Sequence, residues 1–213
     1  MDIKKILIEH KKWLKNDSEG TRADLSGADL SEFNLNEADL SRADLSGADL
    51  RHADLSGTNL NGADLSFADL SRADLRKADL SQADLMGADL SFADLSHANL
   101  RGANLSETKL IRASLFKADL SRADLNGADL SFTNLSGANL SYIIGQNICI
   151  FYSSKHLAIK KGNVIQIGCR EHPIEYWIEH GEQIGKDNGY SELELKTYMN
   201  WIKLMSTGDI HGH

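Results

Sequence analysis

Apolar and polar positions alternate within a triplet, Ala-(Asp/Asn)-Leu, and the triplet returns every five residues from Ala23 to Tyr142. Leucine stands at Leu25, Leu30, Leu35 and each fifth position through Leu140, which makes 24 consecutive units without insertion or skip. Apolar-polar-apolar is the period-two pattern of a half-buried extended segment. From each Leu to the next Ala is three residues, an odd number, so a straight strand would turn that Ala outward. The chain must therefore bend at every Ser-X pair, making each unit one short side and one corner. A helix fails this test, because at about 100° per residue leucines five apart step by roughly 140° and cover every face. Asp, Asn, Ser and Gly are also turn residues and poor helix-interior residues.

A chain that bends the same way every five residues coils, and one coil alone cannot bury its leucines. Stacking parallel coils about 4.8 Å apart packs Leu on Leu and Ala on Ala and pairs the backbone between coils. The run ADLSGADLSEFNLNEADLSRADLSGADL and its continuation resemble the pentapeptide-repeat family, over Ala23 to Tyr142. That resemblance implies a mainly β fold, a right-handed quadrilateral parallel β-helix with four pentapeptides per coil. On that count the repeat makes six coils, about 29 Å tall. Phe33, Thr58, Thr108 and Thr133 depart from Ala at the first inward position, and Phe33 is bulky enough to fill space beneath a cap.

The flanks predict three regions: an N-terminal capping helix over 1–20, the β-helix over 21–145, and a C-terminal α+β cap over 146–213. In the first, Ile3, Ile6, Leu7, His10, Trp13 and Leu14 recur at helical spacing. In the last, Cys149 to Tyr152 reads as extended, and Leu157 to Lys161 and Val164 to Cys169 read as a β-hairpin about Lys161-Gly162-Asn163. A helix after Pro173 carries Ile174, Trp177, Ile178 and Ile184 on one face and breaks at Asp187-Asn188-Gly189. Ser191-Glu192-Leu193-Glu194 is a capping box opening a second helix with Leu195, Tyr198, Ile202 and Met205 inward. The expectation is that this region packs on the open end of the solenoid.

Composition adds little chemistry. The 213 residues carry a net charge of −8, one Pro, two cysteines and no apolar run near membrane length. A reducing cytoplasm is the default for so few cysteines. Sixteen aspartates precede Leu in the repeat, but a regular exterior gives them one environment and no cleft, so neither acid/base catalysis nor calcium binding follows. Cys149, His156, Cys169 and His172 would surround one zinc only if the hairpin brought them together; the Cys169 to His172 spacing is tolerable, but Cys149 to His156 is not that of a knuckle, and two core cysteines with two surface histidines is the better reading. No cofactor is expected and the chain is read as a non-enzyme, with an enzyme sited in the C-terminal region as a remaining alternative.

Sorting the units by four separates the faces. One carries Asp24, Asp44, Asp64, Asp84, Glu107 and Asp124 with no Lys or Arg, a candidate acidic face. The face of Leu40 through Leu140 instead sets Arg42, Arg101 and Arg122 against Asp39, Asp79 and Asp119. A candidate docking edge holds Arg72, Phe92, Arg112 and Phe132, aromatics beside arginines as at protein interfaces; Phe67 and Tyr142 are further outward corner residues. The leading reading is a rigid scaffold or protein-interaction module with an unidentified protein partner. The family resemblance implies a second: a DNA-mimicking modulator of DNA gyrase, a type II topoisomerase, acting through the acidic face. No basic stripe exists for direct nucleic-acid contact, and a homodimer through the C-terminal cap is a further arrangement to consider.

Overall fold

Every Leu-Ser-X-Ala step of the repeat is a tight turn, and every Asp or Asn between Ala and Leu is a single point of parallel pairing. The computed structural model describes residues 2–144, 148–152, 157–161, 164–167 and 170–206. They fall into two compact units, Met1–Gln146 and Asn147–His213.

In the first unit, Asp24 pairs with Asp44, Asp44 with Asp64, and so on to Asp124 with Ile144, always twenty residues apart. Twenty residues are four pentapeptides, so each coil has four sides. The unit satisfies all five of its N–H groups. Leu25 donates to Asp44 O at 2.7 Å, Gly27 to Ser46 O at 2.8 Å, Asp44 to Ala23 O at 3.0 Å and Ala28 to Leu25 O at 3.1 Å. The fifth, of Ser26, donates to the Asp24 Oδ1 at 3.1 Å. That last bond explains the demand for Asp or Asn, since an N–H turned away from the ladder needs a side-chain acceptor two residues back.

The corner residue X has positive φ in all 24 units, the third position of a type II turn. Only eight of the 24 are glycine, so sixteen side chains are held in a conformation costing about 1 kcal/mol each. Coil stacking outweighs that cost, because the interior is continuous: Leu40 through Leu125 are completely buried, with alanines between them. The inward Thr58, Thr108 and Thr133 are also buried. Each donates its hydroxyl to a carbonyl of the preceding coil, of Leu35, Leu85 and Leu110 respectively, so these three buried hydroxyls are satisfied.

Helix α1 (Ile3–Leu14) precedes the first coil, with the Asp2 side chain accepting from the Lys5 N–H at its start. Its Ile3 and His10 are buried. The His10 Nδ1 accepts from the Ala23 N–H at 3.0 Å, which makes its Nε2 the donor to Ser41 O, also at 3.0 Å. Burial lowers the His10 pKa below 6.5, against the pull of the Ser41 carbonyl and Asp39. Gly20 lies where a Cβ would stand 2.1 Å from the Trp13 nitrogen, so only glycine lets the chain turn back so closely past α1. Phe33 does not fill space under this helix. It is 43% exposed, because α1 engages the Ala23 and Ser41 side of the coil and leaves the Phe33 side open.

The second unit is an antiparallel meander followed by two helices. Strands β1 (Ile148–Tyr152), β2 (Leu157–Lys161), β3 (Val164–Ile167) and β4 (Arg170–Pro173) pair in chain order. Sequence reading anticipates the β2–β3 hairpin, with Lys161 opposite Val164, but not β4, whose Arg-Glu-His-Pro run has no β-branched residue. Helices α2 (Ile174–Asp187) and α3 (Glu192–Ser206) share a core of Ile174, Trp177 and Ile202, joined by Ile184 and Met199. Ile178, expected inward, is instead 40% exposed. The contact stripe runs Ile174, Trp177, Gly181, Gly185, and at Gly185 a Cβ would meet Leu195 Cδ2 at 2.2 Å. Two glycines bring the helices together where a larger residue would have been expected. No described helix is long and apolar enough to cross a membrane.

Candidate functional site

The chemistry of the repeat lies in columns of side chains that recur at one coil. On the first face, Asp24, Asp44, Asp64, Asp84, Asn104 and Asp124 follow one another along the ladder. Each carboxylate commits its Oδ1 to its own turn, as when Asp44 and Asp64 accept from both the N–H and the hydroxyl of Ser46 and Ser66. At Asp24 the Ser26 hydroxyl and N–H hold the carboxyl below the usual carboxylate range. Among the described residues no Lys or Arg makes an ion pair with Asp24, Asp44, Asp64, Asp84 or Asp124. Glu107 takes a corner of the same face with positive φ. The other corners there are Gly27, Gly47, Gly87 and Gly127, with Phe67 the one large apolar corner side chain beside the carboxylates.

The fourth face differs from the sequence expectation. Asp39, Asp79 and Asp119 are not matched to Arg42, Arg101 and Arg122. They accept instead from the amides of Asn59, Asn99 and Asn139 one coil on, at 3.1, 2.9 and 3.0 Å. The reason is register: side chains stack directly on the residue twenty positions away, whereas the corner arginines leave from a different point of the coil. Elsewhere Arg51 pairs locally with Asp49 and Arg76 with Asp74, each holding its carboxylate low through a side-chain hydrogen bond, while Lys109 reaches Asp89 one coil away at 3.3 Å.

The candidate docking edge forms one corner column. From the N-terminal end it runs Glu32, His52, Arg72, Phe92, Arg112, Phe132, every residue with positive φ. The Arg72 guanidinium lies over the Phe92 ring at 5.3 Å, and Arg112 lies over both Phe92 and Phe132 at 5.7 Å. Phe92 and Phe132 stay nearly half exposed. Cation and ring thus alternate on a rigid backbone. Sequence reading places these four residues on one edge but not the interleaving, which depends on how the long arginine side chains lie across adjacent coils. Lys117 over Phe116 at 5.1 Å repeats the pattern on the next corner, a site sequence reading missed because Phe116 occupies the Ser position of its unit.

In the second unit, Trp177, Tyr190, Tyr198 and Met199 line a cavity of about 70 Å³ between α2 and α3. His172 stacks on Tyr176 at 4.0 Å. Of the four cysteines and histidines weighed for zinc, His156 and Cys169 and the Cys149 side chain lie outside the described residues. Among the described residues no group of three or more His, Cys, Asp or Glu is arranged to hold a metal.

A search of curated proteins finds no match. Among solved structures, a pentapeptide repeat protein from Nostoc PCC 7120, alr5209, is 42% identical over 48% of this chain and 78% of its own, with a TM-score of 0.41. A pentapeptide repeat protein from the thylakoid lumen of Arabidopsis thaliana is 36% identical over 48% of this chain and 64% of its own, with a TM-score of 0.29. Full-length QnrB1, a plasmid-mediated fluoroquinolone resistance protein, is 19% identical over 59% of this chain and 90% of its own, with a TM-score of 0.21. The family model of pentapeptide repeats matches residues 23–62, 63–102 and 103–141, more than half of the chain. The chain belongs to the pentapeptide-repeat family, and its twenty-residue coil is that family's right-handed β-helix.

Proposed function

We propose that this protein is a rigid, non-enzymatic scaffold or protein-interaction module whose first unit, a six-coil repeat closed at its N-terminal end by α1, docks an unidentified protein along the Arg72, Phe92, Arg112, Phe132 edge. The observation that carries the reading is the cation–ring ladder, exposed yet held by stacking. Arginine and aromatic residues dominate binding energy at interfaces, and a side chain already immobilised loses less entropy on docking. The interior contributes no ligand site because leucine and alanine fill it. A cytoplasmic location is part of the same proposal, resting on the two cysteines.

The test is affinity capture with purified wild-type protein and with the Arg72→Glu, Arg112→Glu double variant, bound proteins being identified by mass spectrometry. Glu32 already occupies this corner column, so the variant keeps the fold, which circular dichroism checks. A partner lost from the variant supports the reading. An unchanged set of captured proteins overturns it.

The acidic face favours a second reading, a DNA-mimicking modulator of DNA gyrase. Asn serves the turn as well as Asp does, as Asn104 and Asn139 show, so the Asp run from Asp24 to Asp84 exceeds what the fold requires. Its charges recur about every 4.8 Å, sparser than the roughly 3.4 Å per strand of DNA. A supercoiling assay across a salt series decides it: salt-sensitive inhibition, lost when Asp64 and Asp84 are changed to Asn, is the expected result, and no inhibition at micromolar protein rejects it.

A further inference from the structure

We propose that the docking edge and the acidic face are the two halves of one contact, so that copies of this chain associate side by side, the arginines of one against the aspartates of the next. This rests on the reading of the Arg72 to Phe132 column as a docking surface and names its occupant as a second copy. Three observations carry it.

The first is spacing. Arg72 and Arg112 are two coils apart, about 9.6 Å along the axis. Asp44 and Asp84 on the first face are also two coils apart, with Asp64 between them. An identical rod repeats its carboxylates at the rise of these guanidiniums by construction, whichever way it points. An extended peptide, at about 3.3 Å per residue with alternating sides, meets both only by chance.

The second is vacancy on both surfaces. Among the described residues Arg72 and Arg112 make no ion pair; their described contacts of this kind are with rings. The aspartates bond through Oδ1, which leaves Oδ2 for an incoming donor. Guanidinium-to-carboxylate bonds are the stronger class of hydrogen bond.

The third is the apolar lining. The Arg72 and Arg112 guanidiniums lie over Phe92 from the coil before and the coil after, so the ring turns its edge outward. That edge is the positive side of the aromatic quadrupole, suited to the middle carboxylate, Asp64. Beside Asp64, Phe67 is 64% exposed and lies across Gly87, where a Cβ would meet its ring at 2.8 Å. Glycine thus lets an apolar plate lie flat beside the acidic run.

The two surfaces sit on different sides of the coil, so the contact is heterologous and does not close on itself in a dimer. Sedimentation velocity over a concentration series tests this at 0.1 M and 1 M NaCl. At 0.1 M the Debye length of about 10 Å screens the net repulsion while contacting pairs survive. Wild-type protein is expected to sediment beyond dimer at 0.1 M and to return to monomer at 1 M. The Arg72→Glu, Arg112→Glu variant and the Asp44→Asn, Asp64→Asn, Asp84→Asn variant are each expected to stay monomeric. Mixed one to one they should form a dimer and stop, because each retains one half of the contact. A wild-type monomer throughout, a mixture that stays monomeric, or a dimer indifferent to both sets of substitutions overturns the proposal. In the first case, loss of a captured protein from the arginine variant keeps the docking edge with a different occupant, and an unchanged capture removes both.

Discussion

On the fourth face of the solenoid, Asp39, Asp79 and Asp119 each accept from an asparagine amide one coil on, whereas on the first face Asp24, Asp44, Asp64 and Asp84 follow one another without a break and the last of them, Asp84, alone takes such a bond, from Asn104. Both faces use the same five-residue unit, the same turn bond to Oδ1 and the same buried leucine. The difference teaches that the fold asks each side for an acceptor, and that charge is a separate choice made face by face. Alternation with Asn removes the like-charge neighbours and adds a donor. A run of Asp keeps them, at some cost in stability, and leaves a surface that can be used.

The largest effect comes from breaking what the faces share. Replacing Leu85, completely buried on the first face, with Asp puts an unpaired charge in the leucine column, and a loss of several kcal/mol is expected, enough to abolish the cooperative thermal transition seen by circular dichroism. Persistence of that transition would refute the inward register.

A smaller change makes the fourth face resemble the first. Asn99→Asp keeps the acceptor for the Arg101 N–H but removes the amide that Asp79 now accepts from. A loss of about 1 kcal/mol is expected in low salt, read as a lower urea midpoint, and much of it should return in high salt.

The helix that joins the two faces supplies a pH test. His10 ties Ala23, where the first face begins, to Ser41, at the end of the fourth. Because burial lowers its pKa in the folded protein, the unfolded chain takes up the proton first. Its contribution is complete above about pH 6.5 and is lost as pH falls through the lower folded value. About 1 kcal/mol should disappear, the scale of one buried hydrogen bond, and His10→Ala should remove this part of the pH dependence of the urea midpoint. An unchanged pH profile in that variant would count against the assigned tautomer.

The smallest effect has the opposite sign. Asp64→Asn on the first face keeps the Ser66 turn and supplies an amide toward Asp44, so a gain of about 0.5 kcal/mol is expected in low salt, fading as salt rises. If Asp64→Asn destabilises the protein instead, the two faces do not differ in the way described.

Much of the fold was legible because Leu25 to Leu140 recur without interruption, and an odd step between inward positions permits only a bend. The outward placement of Phe67, Phe92, Phe132 and Tyr142 followed from the same register, as did the burial of Thr58, Thr108 and Thr133. Reading was poorer wherever the repeat stops. Ile178 was expected inward because hydrophobicity marks a buried face, yet Gly181 and Gly185 form that face by letting two helices approach. The bulk of Phe33 suits space beneath a cap, yet it is exposed, because how far α1 reaches across a coil is not a property of any single residue.

By itself the amino-acid sequence determined the five-residue period, the bend in every unit, the apolar column and the acceptor each turn requires, because all four depend on neighbours within a few residues. Only the tertiary structure decided which residues twenty positions apart lie in contact. That decision turns Asn59, Asn99 and Asn139 into partners of aspartates, interleaves Arg72 and Arg112 with phenylalanines and seats His10 between Ala23 and Ser41. The physical reason is that these contacts run along the axis of the rod, at right angles to the chain, where side-chain length and lateral reach govern what meets.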